Sequence, residues 1–171
     1  AVTDVDDNTL SVADSNSATN TIAENASSGA TVGVTALGTD ADYGTSIAYD
    51  FTSNPSDLFA IDASTGVITL AAGKTLDFDQ TGGQSHTVEI RATSTDSNGD
   101  TSTATKEITI NVTDVDDNTL SVADSNSATN SIAENATAGD GVGVTALGTD
   151  ADYGTSIAYD FTSNPSDLFV I

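Results

Sequence analysis

The stretch Ser46-Ile47-Ala48-Tyr49-Asp50-Phe51 decides the fold. Its large apolar residues, Ile47, Tyr49 and Phe51, fall at every second position, which places them on one face of a half-buried β-strand. The same alternation continues in both directions. Toward the N-terminus, Val32, Val34 and Ala36 alternate with small or polar residues, Ile22 follows a Ser/Asn-rich break, and Leu10 and Val12 form a further pair. Toward the C-terminus, Asn54-Pro55 marks a turn, then Phe59 and Ile61 alternate. Ser64-Thr65-Gly66 makes a tight turn into Ile68 and Leu70. Val88, Ile90 and Ala92 form the next run, Asn98-Gly99 is a strong hairpin signal, and Ile108, Ile110 and Val112 complete the set. Thr and Val are abundant and no helix-period stripe competes. The pattern predicts an all-β chain: an immunoglobulin-like antiparallel β-sandwich of about seven strands.

The sandwich is repeated. Asp4-Val5-Asp6-Asp7-Asn8 returns as Asp114-Val115-Asp116-Asp117-Asn118. Residues 2–61 recur at 112–171 with only six differences: Thr21/Ser131, Ser27/Thr137, Ser28/Ala138, Ala30/Asp140, Thr31/Gly141 and Ala60/Val170. Such a period exceeds the roughly 20–50 residues of a solenoid unit, so each repeat is a domain. The organisation expected is a linker from a preceding repeat over 1–8, a complete sandwich over 9–113, a linker over 114–118, and the N-terminal half of a second repeat over 119–171. That half lacks counterparts of residues 62–111. Half a sandwich exposes sheet edges and an apolar face. It is therefore expected to be the cut end of a longer array, or to be completed by strands from another chain.

Charge narrows the functions. The 171 residues carry 26 Asp+Glu against 3 Lys+Arg, a formal net charge of −23. Lys74, Arg91 and Lys106 are the only bases. Nucleic acid is excluded as a partner, because phosphate binding needs a basic face, and direct contact with an anionic membrane is excluded for the same reason. With no Cys, neither disulfides nor thiolate metal sites are available. Like charges about 5 Å apart repel by roughly 1–3 kcal/mol per pair, against a total domain stability of about 5–15 kcal/mol. Disorder or bound cations would relieve this, and the clear apolar alternation favours cations.

The acids are grouped. Glu24 lies in Ile-Ala-Glu-Asn, Asp40 and Asp42 in Thr-Asp-Ala-Asp-Tyr-Gly, Asp77 and Asp79 in Leu-Asp-Phe-Asp, and Asp96 after Thr95. Glu134, Asp150 and Asp152 repeat the first two groups. Each group falls near a predicted strand end, where side chains from several loops can converge. Calcium takes six to eight oxygens in irregular geometry and suits such a set. Magnesium keeps its waters, and zinc prefers His or Cys.

These motifs together resemble the cadherin repeat, in the version found in tandem in large bacterial surface adhesins. The resemblance rests on Ile22-Ala23-Glu24-Asn25, the Asp40-x-Asp42-x-Gly44 loop, the Phe59-x-Ile61-Asp62…Thr65-Gly66-x-Ile68 hairpin, Leu76-Asp77, and the Asp114-x-x-Asp117-Asn118 linker. It implies calcium at the junction between consecutive repeats, held by Glu24, Asp77, Asp79, Asp114, Asp116, Asp117, Asn118, Asp150 and Asp152. It also implies a partial site at the start of the chain, from Asp4, Asp6, Asp7, Asn8, Asp40, Asp42 and Asp96. Three positions depart from the family. Asp79 stands where Glu is usual, Asp116 where Asn is usual, and Ser156 where Asn is common. The two ions nearest the first repeat are accordingly expected to be firm and the third weaker.

Enzyme chemistry finds little support. His86 is the only histidine and sits beside Thr87, in a phase that predicts an ordinary surface position. A nucleophile–His dyad or zinc hydrolase is not supported. A chain with 5% aromatic residues and no Trp lacks the sugar platforms of a glycosidase cleft. The threonines around Ser94–Thr105 suit an exposed strand pair. The reading is a non-enzymatic, calcium-rigidified extracellular spacer of a bacterial adhesin, with adjacent identical repeats as its partners. The alternative is a module that binds a carbohydrate or a like copy.

Overall fold

The computed structural model describes residues 9–42 and 44–171. It divides into two units, residues 1–115 and 116–171. The N-terminal Asp4, Asp6, Asp7 and Asn8, with the rest of the 1–8 linker, lie outside the described residues.

Among the described residues, the first unit contains eight strands: β1 (Ser11–Asp14), β2 (Thr21–Ala23), β3 (Thr31–Thr39), β4 (Ser46–Ser53), β5 (Phe59–Ile61), β6 (Val67–Leu70), β7 (Ser85–Thr95) and β8 (Thr101–Thr113). They form two sheets of four, ordered β1-β3-β6-β5 and β2-β8-β7-β4. The chain is all-β, an immunoglobulin-like sandwich, as the alternation predicts. Two details differ from that expectation. The N-terminal stretch splits, β1 joining one sheet and β2 the other, because the Ser/Asn-rich break lets the chain cross between them. The pairing is also not wholly antiparallel, since β2 runs parallel to β8, with Thr21 opposite Asn111 and Ala23 opposite Thr113.

The long β7–β8 hairpin sets the axis of the unit, pairing Ser85 with Asn111 at one end and Thr95 with Thr101 at the other. Its inward residues Val88, Ile90 and Ile110 are fully buried, together with Val32 and Ile68 from the facing sheet. The Ser64-Thr65-Gly66 turn forms because the Asp62 carboxylate accepts the Ser64 and Thr65 amides at 2.9 and 2.8 Å. Gly66 has φ +70, and a Cβ there would lie 2.3 Å from the Ala36 carbonyl oxygen. The tyrosine of the opening stretch closes the core from the other side: Gly38 N–H donates to Tyr49 Oη at 2.9 Å.

His86 corrects the surface assignment. Counting by two from Val88 turns it inward, and its ring meets Phe59 edge-on, with centroids 6.0 Å apart. Partial burial pushes its pKa below the ordinary 6.5.

The second unit holds β9 (Ser121–Asp124) and β10 (Ala146–Thr149), paired antiparallel, and a 3-10 turn over Pro165–Asp167. Sequence nearly identical to residues 10–61 here forms far less strand. Leu10 and Ile22 are each 5% exposed, whereas their counterparts Leu120 and Ile132 are 50% and 48% exposed. Nothing equivalent to β6, β7 and β8 covers them among the described residues.

Two tests follow. Ile90→Ala is expected to cost about 2–5 kcal/mol, as large-to-small changes in a closed core do, read as a lowered midpoint in urea unfolding. For His86 the fold disfavours the proton that the unfolded chain accepts. Stability is therefore undiminished above the ordinary imidazole range and falls as pH drops through it toward the lower folded value. His86→Phe is expected to flatten that slope in melting experiments between neutral and mildly acidic pH.

Candidate metal centre

One end of the first unit gathers three carboxylates. Glu24 follows β2 directly, and its own amide donates to Thr113 O at 3.1 Å, so the parallel β2–β8 pairing places it where β8 ends. Glu24 is 5% exposed, and both of its oxygens accept main-chain donors. Oε2 takes the Phe78 amide at 2.6 Å and Oε1 takes the Val115 amide at 2.7 Å.

Asp77 and Asp79 lie on the loop between β6 and β7. Leu76 is buried and Phe78 packs against the core, so strict alternation turns both acids outward. The side chains of Glu24, Asp77 and Asp79 each offer an oxygen within 4.8 Å of the others. The loop holds them there. Gln80 donates to Asp77 from its amide at 3.1 Å and from Nε2 at 2.8 Å, and Gln84 Nε2 donates to Phe78 O at 2.7 Å. Asp114 follows β8 immediately and begins the linker.

The opposite end of the unit carries Asp40, Asp42 and Asp96. Asp40 accepts the Asp42 amide at 3.1 Å and Ser102 Oγ at 3.3 Å. Asp96 Oδ1 accepts the Asn98 and Asp100 amides, both at 2.8 Å. Asp96 Oδ2 is buried without a hydrogen-bond partner among the described residues, as is Ser94 Oγ, two residues earlier on the same inward face. Among the described residues these three acids do not converge as closely as Glu24, Asp77 and Asp79 do.

In the second unit the linker folds onto Asp152. Its Oδ1 accepts the Asp117 and Asn118 amides, each at 3.3 Å, and Asn118 Nδ2 at 2.9 Å. The Asn118 side-chain amide chiefly holds the Asp152 carboxyl below its usual range, helped by Asp116 and the two main-chain amides, while burial opposes them. Asp152 Oδ2 is buried without a partner among the described residues. Asp150 Oδ1 accepts the Asp152 amide at 3.2 Å. Glu134, the counterpart of Glu24, is exposed.

The donor chemistry can be judged directly. Every side chain in these sets offers oxygen, none offers nitrogen or sulfur as a ligand, and two buried carboxylate oxygens have no donor among the described residues. An orphaned buried carboxylate oxygen is costly, and a hard divalent cation answers it. Oxygen-only sets of this kind suit calcium.

The cadherin domain family matches residues 18–113, most of the first sandwich. This chain belongs to that family. Human protocadherin Fat 4 is 38% identical over 128 residues, which span 73% of this chain but 2% of that protein. Among solved structures, mouse cadherin-23 domains EC22-24 superpose with a TM-score of 0.66 at 26% identity, over 89% of this chain and 46% of that one. A protocadherin gammaB7 EC3-6 cis-dimer structure gives 0.64 at 26% identity, over 89% and 34%. The cadherin resemblance read from the motifs is thereby established, and these relatives are animal proteins. Cadherin domains are extracellular, non-enzymatic adhesion modules that bind calcium, and they occur in tandem. Among the described residues no helix is long and apolar enough to cross a membrane.

Within this cadherin domain, three residues escaped the sequence reading. Ser94 was signalled only by a polar residue in the inward phase of β7. Gln80 and Gln84 carried no signal, because their role depends on how the loop folds back.

Glu24→Ala is expected to destabilise the domain even in chelator. It strands the Phe78 and Val115 amides, each at a cost of about 1–3 kcal/mol where water cannot reach. Amide exchange at those two positions should accelerate selectively, with Ile90 as the protected reference.

Proposed function

We propose that this chain is a calcium-rigidified spacer of an extracellular adhesin, one of a series of repeats that hold a distal binding domain away from a cell surface. The observation that supports this best is the convergence of Glu24, Asp77 and Asp79 beside the start of the linker, with Glu24 bonded to the Val115 amide. Three carboxylates brought together at the root of a connecting segment repel one another until a cation joins them. Calcium bound by Glu24, Asp77 and Asp79 would draw in the linker acids Asp114, Asp116 and Asp117. The second unit would contribute Asn118, Asp150 and Asp152. A flexible hinge then becomes a stiff one, and each domain adds length. A strand of about ten residues spans roughly 33 Å, which sets the order of reach per repeat. Extracellular calcium modules bind at about 10⁻⁴–10⁻³ M, so the stiff state belongs outside the cell.

A spacer array, proposed here for a bacterial surface, is favoured over a recognition module by the near-identity of residues 2–61 and 112–171, with six differences. None of the six alters a buried residue of the first unit. A spacer tolerates identical copies, whereas a recognition face would be duplicated to no purpose. The partial N-terminal set, Asp4, Asp6, Asp7, Asn8, Asp40, Asp42 and Asp96, is proposed to serve the preceding repeat in the same way.

Thermal unfolding with and without calcium tests the proposal. The midpoint is expected to rise with calcium, to return with chelator, and not to be reproduced by magnesium. Equal midpoints in calcium and chelator would exclude the spacer mechanism.

A further inference from the structure

The loop that carries Asp77 and Asp79 closes on a glycine. Gly83 is buried, and its amide donates to Gln80 O at 2.8 Å. A Cβ at Gly83 would lie 1.9 Å from the Asp77 carbonyl oxygen, 3.0 Å from its carbonyl carbon and 3.1 Å from Gln80 O. All three are main-chain atoms, so no side chain can swing away to make room. Gly82, next to it, differs: its φ is +83 and a Cβ there meets nothing within 4 Å. Gly82 serves the turn, whereas Gly83 serves the approach of one strand of the loop to the back of Asp77. That approach keeps Gln80 within reach of the Asp77 carboxylate and Gln84 within reach of Phe78 O. Phe78 in turn presents its amide to Glu24.

We propose that Gly83 is a positioning residue for the metal centre: its bare α-carbon lets the loop close behind Asp77, and this closure holds Asp77 and Asp79 against Glu24 in a geometry that a divalent cation can use. The proposal rests on the calcium reading of this site. Any side chain at position 83 pushes the Asp77 main chain outward, parts the three carboxylates, and leaves a cation fewer simultaneous ligands. Gln84 acts in the same direction, pinning the loop through Phe78 O.

The test is a calcium titration of the whole chain, followed through the amide resonances of Phe78 and Val115, which report on Glu24. Gly83→Ala is expected to weaken binding at this site by about 10–100-fold, the usual loss when support behind a metal ligand is removed. Melting in calcium and in chelator separates positioning from general damage. Gly83→Ala should shrink the midpoint gain that calcium confers. Gly82→Ala, which strains the same loop without a clash, should lower both midpoints and keep the gain. If Gly83→Ala fails to fold, Gln84→Ala removes the Phe78 bond without any overlap and should also weaken binding several-fold. A wild-type chain whose Phe78 and Val115 resonances ignore calcium removes the calcium reading and this proposal with it. Wild-type binding that is matched by Gly83→Ala, or by Gln84→Ala where the first variant does not fold, overturns the positioning role alone.

Discussion

A carboxylate taken out of water must be met by donors or by a cation. In this domain the buried Glu24 is met by two main-chain amides from distant parts of the chain. Phe78 lies 54 residues away and Val115 lies 91 residues away. Those bonds tie together the end of β2, the acidic loop before β7, and the exit of β8. The candidate site at this end of the domain is built around that tie. It fixes where the linker leaves the sandwich, and it brings Asp77 and Asp79 near a third negative charge. Charge-assisted bonds to main-chain donors are among the stronger ones available to a folded chain.

What the site lacks is positive charge. Three basic residues serve the whole chain. Arg91 is engaged by Asp50, with Nε donating to Oδ1 at 2.9 Å on the outer face of the β4–β7 pair, and Lys74 Nζ donates to Ser56 O at 2.7 Å. Among the described residues, neither is bonded to the acidic ends. There the carboxylates accept amides, as Asp96 does from Asn98 and Asp100 in its own loop, and Asp152 does from Asn118 in the linker. Buried oxygens on both residues remain without a donor among the described residues. Main-chain amides orient these groups without neutralising them. On the proposed calcium reading, an ion with several open coordination positions would do what the chain leaves undone and let so acidic a sequence also be a well-packed one.

Much of the site was legible as pattern. Leu76, Asp77, Phe78 and Asp79 alternate in the same way as the strands, so two acids had to face out together. The repeated Asp-x-Asp loop and the linker acids stood near predicted strand ends. Other parts were illegible for a physical reason. The meeting of Glu24 with Phe78 and Val115 depends on a parallel β2–β8 pairing, and nothing local announces which strands become neighbours. The role of Gly83 depends on a main-chain approach within a folded-back loop. His86 was misplaced because its neighbours Ser85 and Thr87 are polar, and only the register with Val88 and Ile90 shows which way it turns.

The chain also contains its own comparison of local against tertiary control, since residues 10–61 and 120–171 are nearly the same sequence. Features formed within short stretches of chain, up to 11 residues, appear in both. Asp14 and Asp124 each accept the amide two residues on, at 3.0 and 2.9 Å. Tyr49 and Tyr159 each accept a glycine amide, at 2.9 and 2.8 Å. Asn54 and Asn164 clamp Phe59 and Phe169 with matching bonds, and Ser56 and Ser166 share a left-handed backbone. Sequence alone determined these turns and clamps, and with them the apolar alternation. Whether the alternating residues become a core was decided elsewhere. Ile22 is buried and Ile132 is not, because among the described residues β6, β7 and β8 are laid against the first copy alone. An alternating strand gains its stability from the surface that covers it, and no single half of a sandwich can supply that surface to itself.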